Sequence, residues 1–185
     1  MLQATALPKV TALPLDIESV YRSHRAAVGR WAARLAGPGL EAEDVVQEVF
    51  LIAQRKLGSF RGEASPARWL YGITERVVWH RRRRERWRRW LGGSLERAAD
   101  EIATGRPSPL ELLESRQASV FFYRALDGVK ENHRAVLILF ELEEMSGEEI
   151  AALKCVAVST VWVWLHRARA RLLVRWKELE AEVSR

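Results

Sequence analysis

Apolar side chains recur every three or four residues through two long stretches of this chain, roughly 16–90 and 110–180, and nowhere alternate over the length of a strand. A period near 3.6 gathers such residues on one face of a helix, whereas a half-buried strand needs a period of two. The expected fold is therefore all-α, built as two helical lobes. In the first stretch Val20, Tyr21, His24, Val28, Trp31 and Leu35 share a face behind Asp16, a residue suited to cap a helix N-terminus. Gly37-Pro38-Gly39 stops that helix. Val46, Val49, Phe50, Ala53 and Leu57 mark a second helix, from about Glu41 to Leu57. Ser65-Pro66, a cap followed by proline at the first helical position, opens a third that carries Trp69, Leu70, Ile73 and Val77 inward and ends near Trp90. Tyr21, Trp31, Trp69 and Phe140 sit at core spacing and are expected to pack.

The two periodic stretches are separated by Gly92-Gly93, Gly105, Pro107 and Pro109, with Glu96, Asp100 and Glu101 between them. This punctuation reads as a flexible acidic linker over 92–111, dividing a domain at 14–91 from one at 112–181, with residues 1–13 as a disordered tail. In the second domain helices are expected from Leu110 to Asp127 and from Glu131 to Glu143. Ser146-Gly147-Glu148-Glu149 fits a capping box at the start of a short helix. A turn at Lys154 to Ala157 leads into a long basic helix from Val158 to about Leu179. Short helix, tight turn and longer basic helix is the pattern of a helix-turn-helix, whose second helix enters the DNA major groove. A plain helical hairpin has the same pattern. On a wheel of 100° per residue, Val158, Val161, Leu165, Ala168 and Leu172 face the core while Thr160, Val163, Arg167 and Arg171 face away.

Charge narrows the partners. The 185 residues hold 30 Lys and Arg against 24 Asp and Glu, a net +6 that favours an anionic partner. Much of the excess lies in one run: Arg76, Arg81, Arg82, Arg83, Arg84, Arg86, Arg88 and Arg89, with Trp79, Trp87 and Trp90 interleaved and Glu75 and Glu85 opposing. Arginine neutralises phosphate and releases counterions, and tryptophan stacks on exposed bases. A solvated face or a membrane-surface helix would also carry such a run. The outward side of the second helix presents Asp44, Glu48, Leu51, Ile52 and Arg55, two aliphatics flanked by acids, as a protein-docking surface would. A single cysteine rules out an intrachain disulfide, and Cys155 reads as a small turn or core residue. His24, His80, His133 and His166 lack ligand spacing, so neither metal nor cofactor is expected. No phosphate-binding loop or nucleophile elbow is present, so the expectation is not an enzyme. Without a secretory pattern or a membrane-length apolar run, a cytoplasmic protein with no direct membrane insertion is expected.

Five segments together resemble one family. Glu41-Ala-Glu-Asp-Val-Val-Gln-Glu-Val-Phe50 and Phe60-Arg-Gly-Glu-Ala-Ser-Pro-Ala-Arg-Trp-Leu-Tyr71 are similar to region 2 of extracytoplasmic-function (ECF) sigma factors of the sigma-70 family. Glu131-Asn-His-Arg-Ala-Val-Leu137, Ser146-Gly-Glu-Glu-Ile-Ala-Ala-Leu153 and Leu165-His-Arg-Ala-Arg-Ala-Arg-Leu172 are similar to their region 4, a helix-turn-helix. The resemblance implies a sigma factor that binds core RNA polymerase and directs promoter-specific initiation. Region 2 would melt the −10 element and region 4 would recognise the −35 element of promoter DNA. It implies polymerase binding by Asp44, Gln47, Glu48, Leu51 and Ile52, on the clamp helices of the largest catalytic subunit. It implies −10 contacts from Ser59, Phe60, Arg61, Arg76, His80, Arg81, Arg83 and Arg84, the loop at 59–64 capturing a flipped base. It implies −35 contacts from Ser159, Thr160, Val163, Arg167 and Arg171. An anti-sigma factor is implied as a regulatory partner, and the linker would thread toward the polymerase active-site channel.

The chain also departs from the family's usual residues. Thr74-Glu75-Arg76 stand where Ala-Arg-Asn is usual, Cys155 where the turn has glycine, and Trp162, Val163 and Trp164 where lysine, serine and arginine are common. Two readings compete with a sigma factor: a helix-turn-helix regulator that does not bind polymerase, and a sigma-like protein acting only through protein partners.

Overall fold

The structure is a computed structural model that describes residues 16–62, 64–91 and 109–184; the expected tail, nearly all of the expected linker and Glu63 lie outside them. Seven α-helices and no strand occur among the described residues: α1 (Ile17–Ala36), α2 (Ala42–Lys56), α3 (Pro66–Trp90), α4 (Pro109–Leu126), α5 (Glu131–Glu141), α6 (Gly147–Lys154) and α7 (Val158–Val183). A 3-10 turn at Leu57–Ser59 follows α2.

The local signals act where the sequence places them. The Asp16 carboxylate accepts from the Ser19 N–H at 3.2 Å, and the Ser65 hydroxyl accepts from the Arg68 N–H at 3.3 Å. Each satisfies a backbone donor that a helix start leaves orphaned. At α6 both halves of the capping box form: Glu149 N–H donates to the Ser146 hydroxyl at 3.2 Å, and Ser146 N–H donates to the Glu149 carboxylate at 2.8 Å. Those hydrogen bonds hold the Glu149 carboxyl below its ordinary pKa. Between α6 and α7 the backbone turns at Cys155, which takes the left-handed conformation (φ 56°, ψ 47°). Cys155 is an exposed turn residue, and its Cβ makes that conformation cost about 1–2 kcal/mol relative to glycine.

Two helical lobes result, α1 to α3 and α4 to α7. Val20, Val28, Trp31 and Leu35 of α1, Val45, Val46, Val49, Phe50 and Ala53 of α2, and Leu70, Tyr71, Ile73, Val77 and Val78 of α3 are buried together. In the second lobe α5 supplies Ala135 to Leu139, α6 supplies Ile150, and α7 supplies Val161, Leu165 and Ala168, as the wheel requires. Tyr21 departs from the expectation. It is 40% exposed, at the rim of α1, with its ring edge-on to Phe50 at 4.7 Å.

The lobes are not apart; they pack into one continuous core. The seam is polar and centres on the C-terminus of α1, where the last carbonyls lack partners within their own helix. Arg82 donates to the Ala36 carbonyl at 2.7 Å, Tyr123 to the Arg34 carbonyl at 3.0 Å and Arg134 to the Leu35 carbonyl at 3.4 Å. Gly37 closes the helix at φ 69°, and a Cβ there would run into the Tyr123 ring. Asp127, in the α4–α5 turn, pairs with both Arg82 and Arg134. Burial, then the neighbouring Arg82 charge, pushes the Arg134 guanidinium down to about 9. On the other side of α3, Lys154 pairs with Glu75, the acid that stands where the family usually has arginine, and lies 5.7 Å from the Tyr71 ring centre. Burial, then the Glu75 charge, raises the Tyr71 hydroxyl well above its ordinary value.

Candidate protein and nucleic-acid interfaces

On the outer side of the first lobe, α1 and α2 form an open groove of about 440 Å³ lined by Ile17, Glu18, Tyr21, Gln47, Phe50, Leu51 and Gln54. Leu51 projects from it, 53% exposed. Asp44 and Gln47 are exposed on the same helix and Glu48 is half-buried. Ile52 was expected to face outward beside Leu51; it is half-buried and leans on the core, so one exposed aliphatic stands there rather than two. The sequence reading missed Ile17, Tyr21 and Gln54. The groove forms only when α1 lies beside α2, and in sequence Tyr21 continues the Val20–Val28 stripe, which reads as core.

The loop before α3 brings Phe60 against Trp69, ring centres 4.8 Å apart and planes tilted by 40°. Ser59 donates to the Lys56 carbonyl at 2.8 Å, and Arg61, next to Phe60 in the chain, is exposed. Arg76, His80, Arg83 and Arg84 are exposed along α3. Arg76 and Arg83 are seven residues apart and His80 lies between them, so they share one stripe at 3.6 residues per turn. Arg76, Arg83 and Arg84 make no ion pair among the described residues, which leaves their charge for an outside anion.

Arg81 is a correction. It was expected on the DNA-facing side, but it points toward α2, donating to the Glu48 carboxylate at 2.7 Å and lying 3.6 Å from that of Asp44. The helical wheel explains this: Arg81 follows Val77 and Val78 on the inward side, where a long side chain reaches past the apolar seam to the acids of α2. Three further cations of the run are committed as well, Arg82 to Asp127, Arg86 to Glu131 at 3.2 Å and Arg88 to Glu85 at 2.9 Å.

In the second lobe the first turns of α7 present Ser159, Val163 and Arg167 outward, with Thr160 half-buried beside them. Val163 is 46% exposed. Arg171 is exposed further along and donates to the Gly128 carbonyl at 3.3 Å. Trp162 packs along the lobe: a Cβ on Gly147 would come within 2.6 Å of its ring, and Phe140 meets it edge-on at 5.6 Å. Trp164 is half-buried, 6.1 Å from the His133 ring. These two tryptophans thus brace α7 against α5 and α6. Among the described residues no three His, Cys, Asp or Glu side chains gather as a metal site, and no single helix is long and apolar enough to cross a membrane.

Comparison with known proteins agrees with this architecture. Residues 20–88 match the family described as Sigma-70 region 2, and residues 122–172 match Sigma-70, region 4. The chain is 31% identical over 159 residues to RNA polymerase sigma factor YlaC of Bacillus subtilis, covering 85% of this chain and 90% of that one. It is 30% identical over 164 residues to ECF RNA polymerase sigma factor SigL of Mycobacterium tuberculosis, covering 88% and 90%. Its fold is similar to that of the sigma factor RpoE solved with the anti-sigma factor NepR from Bartonella quintana, at a TM-score of 0.60 and 24% identity over 86% of this chain and 96% of that one. With both sigma regions present in order and relatives aligned along nearly their whole length, this chain belongs to the ECF branch of the sigma-70 family of RNA polymerase sigma factors.

Proposed function

We propose that this chain binds core RNA polymerase through the α1–α2 groove and directs it to promoters through α3 and the start of α7. The observation that carries the assignment is the separation of two unlike surfaces on one lobe. One is an apolar groove with an exposed Leu51 and an acidic edge at Asp44 and Glu48; the other is a stripe of uncommitted arginines on α3. Apolar surface of that kind, rimmed by charge, suits a protein partner, while unpaired arginines suit phosphate. Gln47 lines the groove beside Leu51, whereas Ile52 packs against the core.

The −10 element is assigned to Ser59, Phe60, Arg61, Arg76, His80, Arg83 and Arg84. Extruding a base costs a few kcal/mol, which stacking on the Phe60–Trp69 pair and phosphate contact by Arg61 would offset. Arg81 belongs with the α2 acids and serves to hold α3 against α2. The −35 element is assigned to Ser159, Thr160, Val163 and Arg167, with Arg171 reaching phosphate. Val163 offers a thymine methyl a contact but no hydrogen bond, so base discrimination at −35 rests on fewer polar groups than the family usually brings. The protein carries out no catalysis; it acts in the cytoplasm by differential binding, and an anti-sigma protein is its natural regulator.

Two variants of the full chain test the docking surface. Leu51→Asp is expected to lower core polymerase affinity at least tenfold while helical content by circular dichroism stays at the parent level. Leu51→Met should retain affinity. Equal polymerase binding by parent and Leu51→Asp would remove the groove from the interface.

A further inference from the structure

The exposed stripe of α3 does not stop at its arginines. Trp87 and Trp90, at the C-terminal end, are 56% and 78% exposed, unusually bare for the two largest apolar side chains of that segment. Their rings meet edge to face, centres 5.8 Å apart and planes at 80°. With Arg83, Arg86 and Glu131 they line an open cleft of about 570 Å³. Taking Arg76 as zero on a wheel of 100° per residue, Trp69, His80, Arg83, Trp87 and Trp90 all fall within about 40° of it. One straight track therefore runs from the Phe60–Trp69 pair, past Arg76, His80 and Arg83, to the Trp87–Trp90 pair.

The charges along this track decide what fits it. Arg83 faces the cleft with no ion pair among the described residues, and Arg84 beside it has none either. Among the described residues the cleft's one acid, Glu131, is tied to Arg86 at 3.2 Å. An aromatic cleft with surplus positive charge matches a ligand that is anionic along its backbone and flat in its side groups. Single-stranded nucleic acid is that ligand, since every base offers a stacking face whatever its sequence. From Trp69 to Trp87 is 18 residues, about 27 Å at 1.5 Å per residue, so the two aromatic pairs would engage different parts of one strand.

We infer that Trp87 and Trp90 form a second base-stacking site for single-stranded DNA, beyond the −10 loop. The site rests on the sigma-factor reading above, and it extends the grip on melted DNA to the far end of α3. Stacking of this type would prolong the open state of the template without reading its sequence.

The test uses the full chain without polymerase and two probes of equal length: an oligodeoxythymidine, and the same sugar-phosphate backbone lacking bases. The parent should bind the oligodeoxythymidine about 10-fold more tightly than the abasic strand. Trp87→Ala with Trp90→Ala should remove most of that preference, a loss of about 10-fold or 1.4 kcal/mol. Trp87→Phe with Trp90→Phe should keep most of it. Arg83→Ala should weaken both probes alike. A 2-aminopurine placed in the strand should lose fluorescence on binding the parent and keep it with the alanine pair. The inference is overturned if the alanine pair binds both probes like the parent, or if it loses affinity for core polymerase instead of DNA. The underlying reading is checked separately by run-off transcription from parent protein and core polymerase. Normal initiation with an unaltered alanine pair would remove the stacking site alone, whereas stacking without any initiation would remove the sigma assignment.

Discussion

Replacing Asp127 by asparagine probes the seam between the lobes. Asp127 faces Arg82 and Arg134, whose side chains are only 11% and 1% exposed. Asparagine keeps the shape but removes the charge, leaving two guanidinium groups close together at the end of α1. Breaking a fully buried ion pair by removing one partner costs about 3–5 kcal/mol. Asp127 is 30% exposed, so water relieves part of that cost, and about 2 kcal/mol is expected. Two kcal/mol changes the ratio of packed to separated lobes about 30-fold. Small-angle scattering reads that ratio directly. A compact chain of this length has a radius of gyration of about 16 Å, and Asp127→Asn should raise it, with lower thermal stability. A variant at Asp127 that is as compact and as stable as the parent would refute the ion-pair account of the seam.

This seam bears on function through length. Elements labelled −35 and −10 lie about 25 base pairs apart, on the order of 85 Å along a duplex at 3.4 Å per step. A globule with a radius of gyration near 16 Å is about 40 Å across. We infer that lobes packed in this way reach one element at a time, and that engaging both opens the Asp127, Glu75 and Glu131 contacts between them. The donors that cap α1 from the second lobe, Tyr123 and Arg134, are what opening gives up.

Three further outcomes follow from individual residues. Arg83→Ala with Arg84→Ala should weaken DNA binding across sequences and flatten its logarithmic salt slope by about 1.8; an unchanged slope would remove both from the phosphate contacts. Cys155→Gly should relieve the left-handed turn and stabilise the chain by about 0.5–1 kcal/mol after the added chain entropy of glycine, seen as a melting temperature about 1–4 °C higher, and no rise would show that the turn is unstrained. Glu149→Gln should narrow the pH dependence of stability. The folded carboxyl titrates below its ordinary range because of its bonds to Ser146, so its contribution is present above the unfolded carboxylate pKa and lost as pH falls through the folded one. Parent and variant should therefore differ near neutrality and converge in acid.

Helix boundaries and caps were legible because their causes are local. Asp16, Ser65 and Ser146 each satisfy backbone donors within three residues, so residue type and spacing suffice. The buried stripes of α2 and α7 were legible for the same reason, since periodicity states which face must leave water. What the sequence hid depends on which helix lies alongside. Arg81 belongs to a run that reads as DNA-binding, and only the position of α2 turns it toward Asp44 and Glu48. Tyr21 continues an apolar stripe yet ends at its rim, because α2 covers only part of α1. The pairing of Glu75 with Lys154 crosses 79 residues and exists only because the lobes pack. No pattern within either segment announces it.

This chain programs polymerase rather than binding DNA or protein alone. Run-off transcription from the region upstream of its own coding sequence, with core polymerase and the purified chain, tests it most directly. A discrete start that appears only with the chain, and fades when Leu51→Asp replaces the parent, is the expected result. Polymerase capture without any start, or DNA binding without polymerase capture, would contradict it.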